Sequence, residues 1–182
     1  QRMCDYFEDV RYLKTDEQTC RDALIATTRE GLEQLLSSAS LQSLDFGHRE
    51  SINDTHLQHI AELPTRLPQL FATASARASQ AGFDGVELHY AHAYTMSSFL
   101  SKTNQRADGY GGSPKERLRL PMEVYQACRA AVPEGMLLGC RMLVDEIIEA
   151  GSKGADAQYY AEVFAQAGMD FISLSTGGKF DD

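Results

Sequence analysis

The chain has 182 residues, enough for one domain with a sizeable core. Apolar residues make up 43% and charged residues 24%, the ordinary globular mix. A net charge of −9 argues against nucleic acid and anionic membranes as partners, and no run approaches the roughly 18 apolar residues of a membrane span.

Thr15 and Gln18 form a capping box, TDEQ, opening a predicted helix from Thr15 to about Ser38. Residues 37–55, rich in Ser, Asp and Asn, read as a loop. Residues 1–55 are therefore assigned to a helical segment in which no chemistry is legible, and residues 56–182 to a second domain. The first residue is Gln and no signal-peptide pattern follows, so a partial or processed chain is expected. Cys4, Cys20, Cys128 and Cys140 form no CxxC pair, which gives a zinc site no support. Isolated cysteines suit a cytoplasmic protein with buried thiols.

Leu67, Phe71, Ala74, Ala78 and Ala81 have helical spacing, and Gly82 sits at a C-terminal cap. Pro64 and Pro68 predict that this helix becomes regular only near Pro68. A strand follows from Gly85 to His89, then a long polar segment. Ser113-Pro114-Lys115-Glu116 starts a helix running to about Val132, with a bend expected at Pro121. Leu137 to Leu143 reads as a strand buried on both faces. Asp156 is expected to cap the next helix, packed through Tyr160, Val163, Phe164 and Ala167 and ended by Gly168. DFISLST is the last strand. The order α-β-α-β-α-β implies a parallel sheet covered by helices, with functional residues at the C-terminal strand ends.

Three groups fall on that end: His89, His92 and Tyr94; Arg141; and Ser175, Thr176, Gly177 and Gly178. The two histidines could be metal ligands, structural residues satisfying backbone groups, or paired donors to one carbonyl or anionic oxygen. Arg141 in an apolar strand needs either a salt bridge, to Glu87 or Asp145, or an electron-rich ligand. Asn104, Arg106, Asp108 and Tyr110 read as an ordered loop locked by its own hydrogen bonds.

The segments AGFDGVELHYAHAY, SSFLSKTNQRADGYGGSPKERLRL, LLGCRML and AGMDFISLSTGG together resemble the Old Yellow Enzyme family of NADH:flavin oxidoreductases over about residues 67–180. The resemblance implies an α/β fold, a partial (β/α)8 TIM barrel of about strands 4–6 with their helices. It implies an FMN-dependent oxidoreductase that takes hydride from NADH or NADPH and delivers it to the β-carbon of an α,β-unsaturated carbonyl compound. By position, His89 and His92 match the pair that binds the substrate carbonyl oxygen. Tyr94 matches the proton donor, and Arg141 the arginine beside the flavin N1–O2 edge. Two imidazole donors would stabilise an enolate oxygen, and tyrosine is a weak acid suited to releasing its proton as that charge develops. Ala93 stands where the family usually has Gly, a small departure. A complete barrel needs about 250 residues, so this chain is expected to be a fragment. Its open sheet edges would call for a homo-oligomeric partner or further sequence. The competing expectation is a non-catalytic barrel remnant that acts only by associating with other chains.

Overall fold

The computed structural model describes residues 51–177. The predicted Thr15–Ser38 helix, Cys4, Cys20 and Gly178 lie outside the described residues. The described elements are α1 (Gln58–Ala61), α2 (Leu63–Gln80), β1 (Gly85–Tyr90), α3 (Thr95–Leu100), α4 (Pro114–Ala131), β2 (Leu137–Asp145), α5 (Gly154–Gln166) and β3 (Ile172–Thr176). The strands form one sheet in the order β1-β2-β3, every pair parallel. Parallel neighbours cannot be joined by a hairpin, so the helices serve as the crossovers.

One sheet face is dry along β1 and β2, although Leu174 on the same face of β3 is 61% exposed. Leu88 and Tyr90 of β1 and Leu138, Cys140 and Met142 of β2 alternate onto it, each at most 2% exposed. Leu120, Val124 and Cys128 of α4, Phe99 of α3 and Tyr160 and Phe164 of α5 complete this core. Fully burying one such Leu, Met or Phe is worth about 1.5–3 kcal/mol, so this face holds the unit together. Cys128 and Cys140 are free buried thiols whose pKa values burial raises, Cys140 to about 12. For these two cysteines that matches the reading of buried thiols.

Several boundaries differ from expectation, each for a local reason. Helix α2 starts at Leu63 rather than near Pro68. Pro64 lies in the first turn, where a missing N–H costs nothing, and Pro68 removes only one bond early in the helix. Leu67 and Phe71 pack against the core as expected, but Ala74 and Ala81 are exposed and the buried residues are Pro64, Ala72 and Ser75, so the packed face extends to one side of the predicted stripe. Helix α4 stays continuous through Pro121, and its Ser113–Glu116 capping box forms as expected. Asp156 is not the cap of α5. Lys153 is, and Asp156 sits one turn in, where it accepts the Lys153 N–H at 3.2 Å. Ala167 is exposed at the helix end rather than packed. Gly82 and Gly168, with φ of 83° and 89°, terminate α2 and α5 in the left-handed region that favours glycine.

The 104–112 loop is locked as predicted. Asn104 is fully buried and donates to the carbonyls of Phe99 at 2.8 Å and Tyr110 at 2.7 Å. Arg106 is buried too, pairs with Asp108 and donates to the Ile52 carbonyl at 2.7 Å. Among the described residues no helix is long and apolar enough to cross a membrane.

Candidate active site

The second face of the sheet is not dry. It carries Glu87 and His89 of β1, Arg141 and Leu143 of β2, and Ser173 and Ser175 of β3, all partly or fully exposed. This corrects the expectation of a β2 strand buried on both sides: Leu138, Cys140 and Met142 are buried on the helix-covered side, whereas Arg141 and Leu143 on the other side are only partly buried. The register aligns His89 with Arg141 and Arg141 with Ser173, so three strands each contribute a polar side chain to one row.

After Tyr90 the chain turns sharply through His92 and Ala93, at φ of 58° and 51°. A left-handed conformation costs a non-glycine residue roughly 1–2 kcal/mol. The departure at Ala93 is therefore larger than its single methyl suggests. The turn folds the chain back on itself before α3. It sets the His92 ring 5.1 Å from the His89 ring and the Tyr94 ring 5.3 Å from His89, centroid to centroid. His92 Nε2 lies 2.8 Å from the Ser175 hydroxyl at the end of β3, a hydrogen bond spanning 83 residues of sequence. Serine thus occupies one ring nitrogen and orients the other.

The three sequence-predicted residues His89, His92 and Tyr94 therefore form one cluster, and Arg141 stands beside it on the next strand. Tyr90 is different. Its hydroxyl donates to the Pro121 carbonyl at 2.9 Å inside the core, whereas Tyr94 is half exposed.

Arg141 makes the salt bridge foreseen as its structural role. Its Nε donates to Glu87 Oε1 at 2.8 Å and its Nη2 reaches Oε2 at 3.5 Å. A guanidinium has five N–H donors, and Nη1 makes no hydrogen bond among the described residues. The ion pair and a ligand role are therefore compatible. Ser173 also donates to Glu87, at 2.5 Å. Glu87 and Ser173 were not read from sequence as site residues. Their signal was the period of two along β1 and β3, but it becomes specific only when the register is known.

His89 is held below the ordinary histidine value of 6.5. Burial is the main cause, followed by the His92 and Arg141 charges, against an upward pull from Glu87. The fold thus favours the neutral ring. Its contribution to stability is complete above the unfolded value of about 6.5 and is lost as pH falls through the lower folded value. An NMR titration of His89 should find its midpoint below 6.5. A midpoint at or above that value would show that the neutral form is not preferred. Among the described residues no group of three or more His, Cys, Asp or Glu is placed to hold a metal ion.

Parallel strands joined by helices, with a polar cluster at the C-terminal ends of the strands, are the arrangement of part of a (β/α)8 barrel. The chain belongs to the NADH:flavin oxidoreductase / NADH oxidase family, whose model matches residues 46–179. It is 38% identical over 110 residues to an NADH oxidase of Thermoanaerobacter brockii, an alignment covering 60% of this chain and 17% of that protein. Among solved structures, morphinone reductase in complex with tetrahydroNAD superposes with a TM-score of 0.53 at 32% identity, covering 63% of this chain and 32% of that one. The Old Yellow Enzyme homologue from Zymomonas mobilis superposes with a TM-score of 0.56 at 27% identity, covering 66% and 37%. The chain spans 36% of the length of an NADPH dehydrogenase of Bacillus subtilis and 12% of that of an NADH:fumarate oxidoreductase of Klebsiella pneumoniae.

Proposed function

We propose that this segment supplies the substrate-polarising and proton-donating wall of an FMN-dependent NAD(P)H oxidoreductase acting on α,β-unsaturated carbonyl compounds. The observation that carries this reading is the convergence of the His92 and Tyr94 rings on His89, at 5.1 Å and 5.3 Å between centroids, beside a partly exposed arginine. FMN would supply the redox chemistry between nicotinamide and substrate.

The residues present fit such a group. Arg141 is a fixed cation on the open face with Nη1 unengaged by described residues, suited to an electron-rich heterocycle edge. His89 is kept neutral, so one ring nitrogen donates an N–H without carrying full charge. His92 is oriented by Ser175 and adds a second donor. Two fixed donors aimed at one carbonyl oxygen stabilise the negative charge that develops there. The Tyr94 hydroxyl, beside His89, releases its proton to the substrate carbon as that charge builds.

The test is direct. The full-length protein should purify with the visible absorbance of oxidised FMN, bleach with NADH or NADPH, and reduce a simple cyclic enone. A colourless protein that takes up no added FMN would overturn the reading.

A further inference from the structure

Glu87 is the unexpected member of the open face. A carboxylate directly below His89 on the same strand face does nothing for carbonyl polarisation, because it opposes negative charge developing nearby. Its bonds explain it better. It accepts from Arg141 Nε at 2.8 Å and from Ser173 Oγ at 2.5 Å, so from its place opposite Gly139 it ties β2 and β3 diagonally to β1, beneath the His89–Arg141–Ser173 row. Burial pushes its carboxyl up, but the Ser173 and Arg141 bonds together bring the net shift below the usual carboxylate range. It is therefore ionised at neutral pH. A paired arginine is also a different electrostatic object from a lone one, since its anion cancels part of its field.

We propose that Glu87, anchored by Ser173, is a positioning residue. It fixes the Arg141 guanidinium and limits how much of its positive charge acts on bound flavin, and so helps to set the flavin's reduction potential. This inference rests on the flavin reading above. Reduction adds negative charge to the flavin, so a cation stripped of its counter-anion favours the reduced form more strongly. The potential should then rise.

The experiment compares the two-electron potential of the flavin-loaded, full-length wild type with that of Glu87→Gln and Glu87→Asp. Glu87→Gln is expected to shift the reduced-to-oxidised ratio about tenfold toward reduced, a rise of about 30 mV for a two-electron couple. Glu87→Asp keeps the charge and should stay close to the wild-type potential. A merely structural carboxylate would alter stability and leave the potential unmoved. If Glu87→Gln does not fold, Ser173→Ala carries the test. It retains every charge but loosens the anion, and a rise of about threefold in the same ratio is expected. A Glu87→Gln or Ser173→Ala potential equal to wild type overturns the inference, as does an Asp variant that shifts as far as the Gln variant. Wild-type protein with no flavin would instead sink the enzyme reading itself, so the two failures are distinguishable.

Discussion

Tyr94→Phe in the full-length protein is expected to slow turnover of an enone probe roughly 10²–10⁴-fold, the usual worth of a positioned proton donor. Bleaching of the flavin by NAD(P)H should be unchanged. The substitution removes one hydroxyl and keeps the ring, so the 5.3 Å packing against His89 survives. Tyr94 is also half exposed, so the fold loses little apolar burial. The control is four residues away. Tyr90→Phe removes the buried bond to the Pro121 carbonyl, which costs about 0.5–1.5 kcal/mol of stability, and should leave turnover intact. Stopped-flow measurement of the two half-reactions separates these outcomes. Slower flavin bleaching with normal enone turnover would remove Tyr94 from the proton-donor role.

Much of this site was legible because its chemistry is local. His89, His92 and Tyr94 lie within six residues at a strand end, and the Gly85–Tyr90 strand announces itself by the alternation of Val86, Leu88 and Tyr90 with Glu87 and His89 after Gly82. The Ser113–Glu116 box and the terminating glycines were equally local, and each formed where its residues demanded. What escaped was set by distance in the chain or by brevity. Helix α3 has six residues, too few for a helical period to show, although Met96, Phe99 and Leu100 of it are buried. The contacts of His92 with Ser175 and of Glu87 with Ser173 depend on the three-strand register, and nothing near those serines predicts it. Asp156 was read as a local cap because its short-range role resembles one. Its stronger partner, Arg117, lies 39 residues away.

That long-range pair carries the largest stability effect expected here. Asp156→Ala should lower the unfolding free energy by about 3 kcal/mol, toward the lower end of the range for breaking a buried ion pair. In the sequence KERLRL, Arg117 looks like one of several solvated helix charges, yet its side chain is only 2% exposed. Its Nη2 pairs with Asp156 at 3.0 Å, and Nη1 reaches the Leu100 carbonyl at 3.4 Å and the Ser152 hydroxyl at 3.3 Å. Its Nε has no hydrogen-bond partner among the described residues. The surroundings are dry: burial pushes the neighbouring Tyr160 phenol up to about 12, and that hydroxyl donates to the same Leu100 carbonyl at 2.9 Å. Removing Asp156 therefore leaves a largely buried cation without its counter-ion. The partial exposure of the Asp156 side chain, 17%, is what sets the estimate low in the range. Removing both charges should behave differently. Arg117→Met combined with Asp156→Ala leaves no buried charge, so the double variant should lose less than the two single losses added together. Chemical denaturation of the full-length protein and the three variants measures this directly. Strict additivity, or a loss below about 1 kcal/mol for Asp156→Ala, would show that the pair is not coupled through burial.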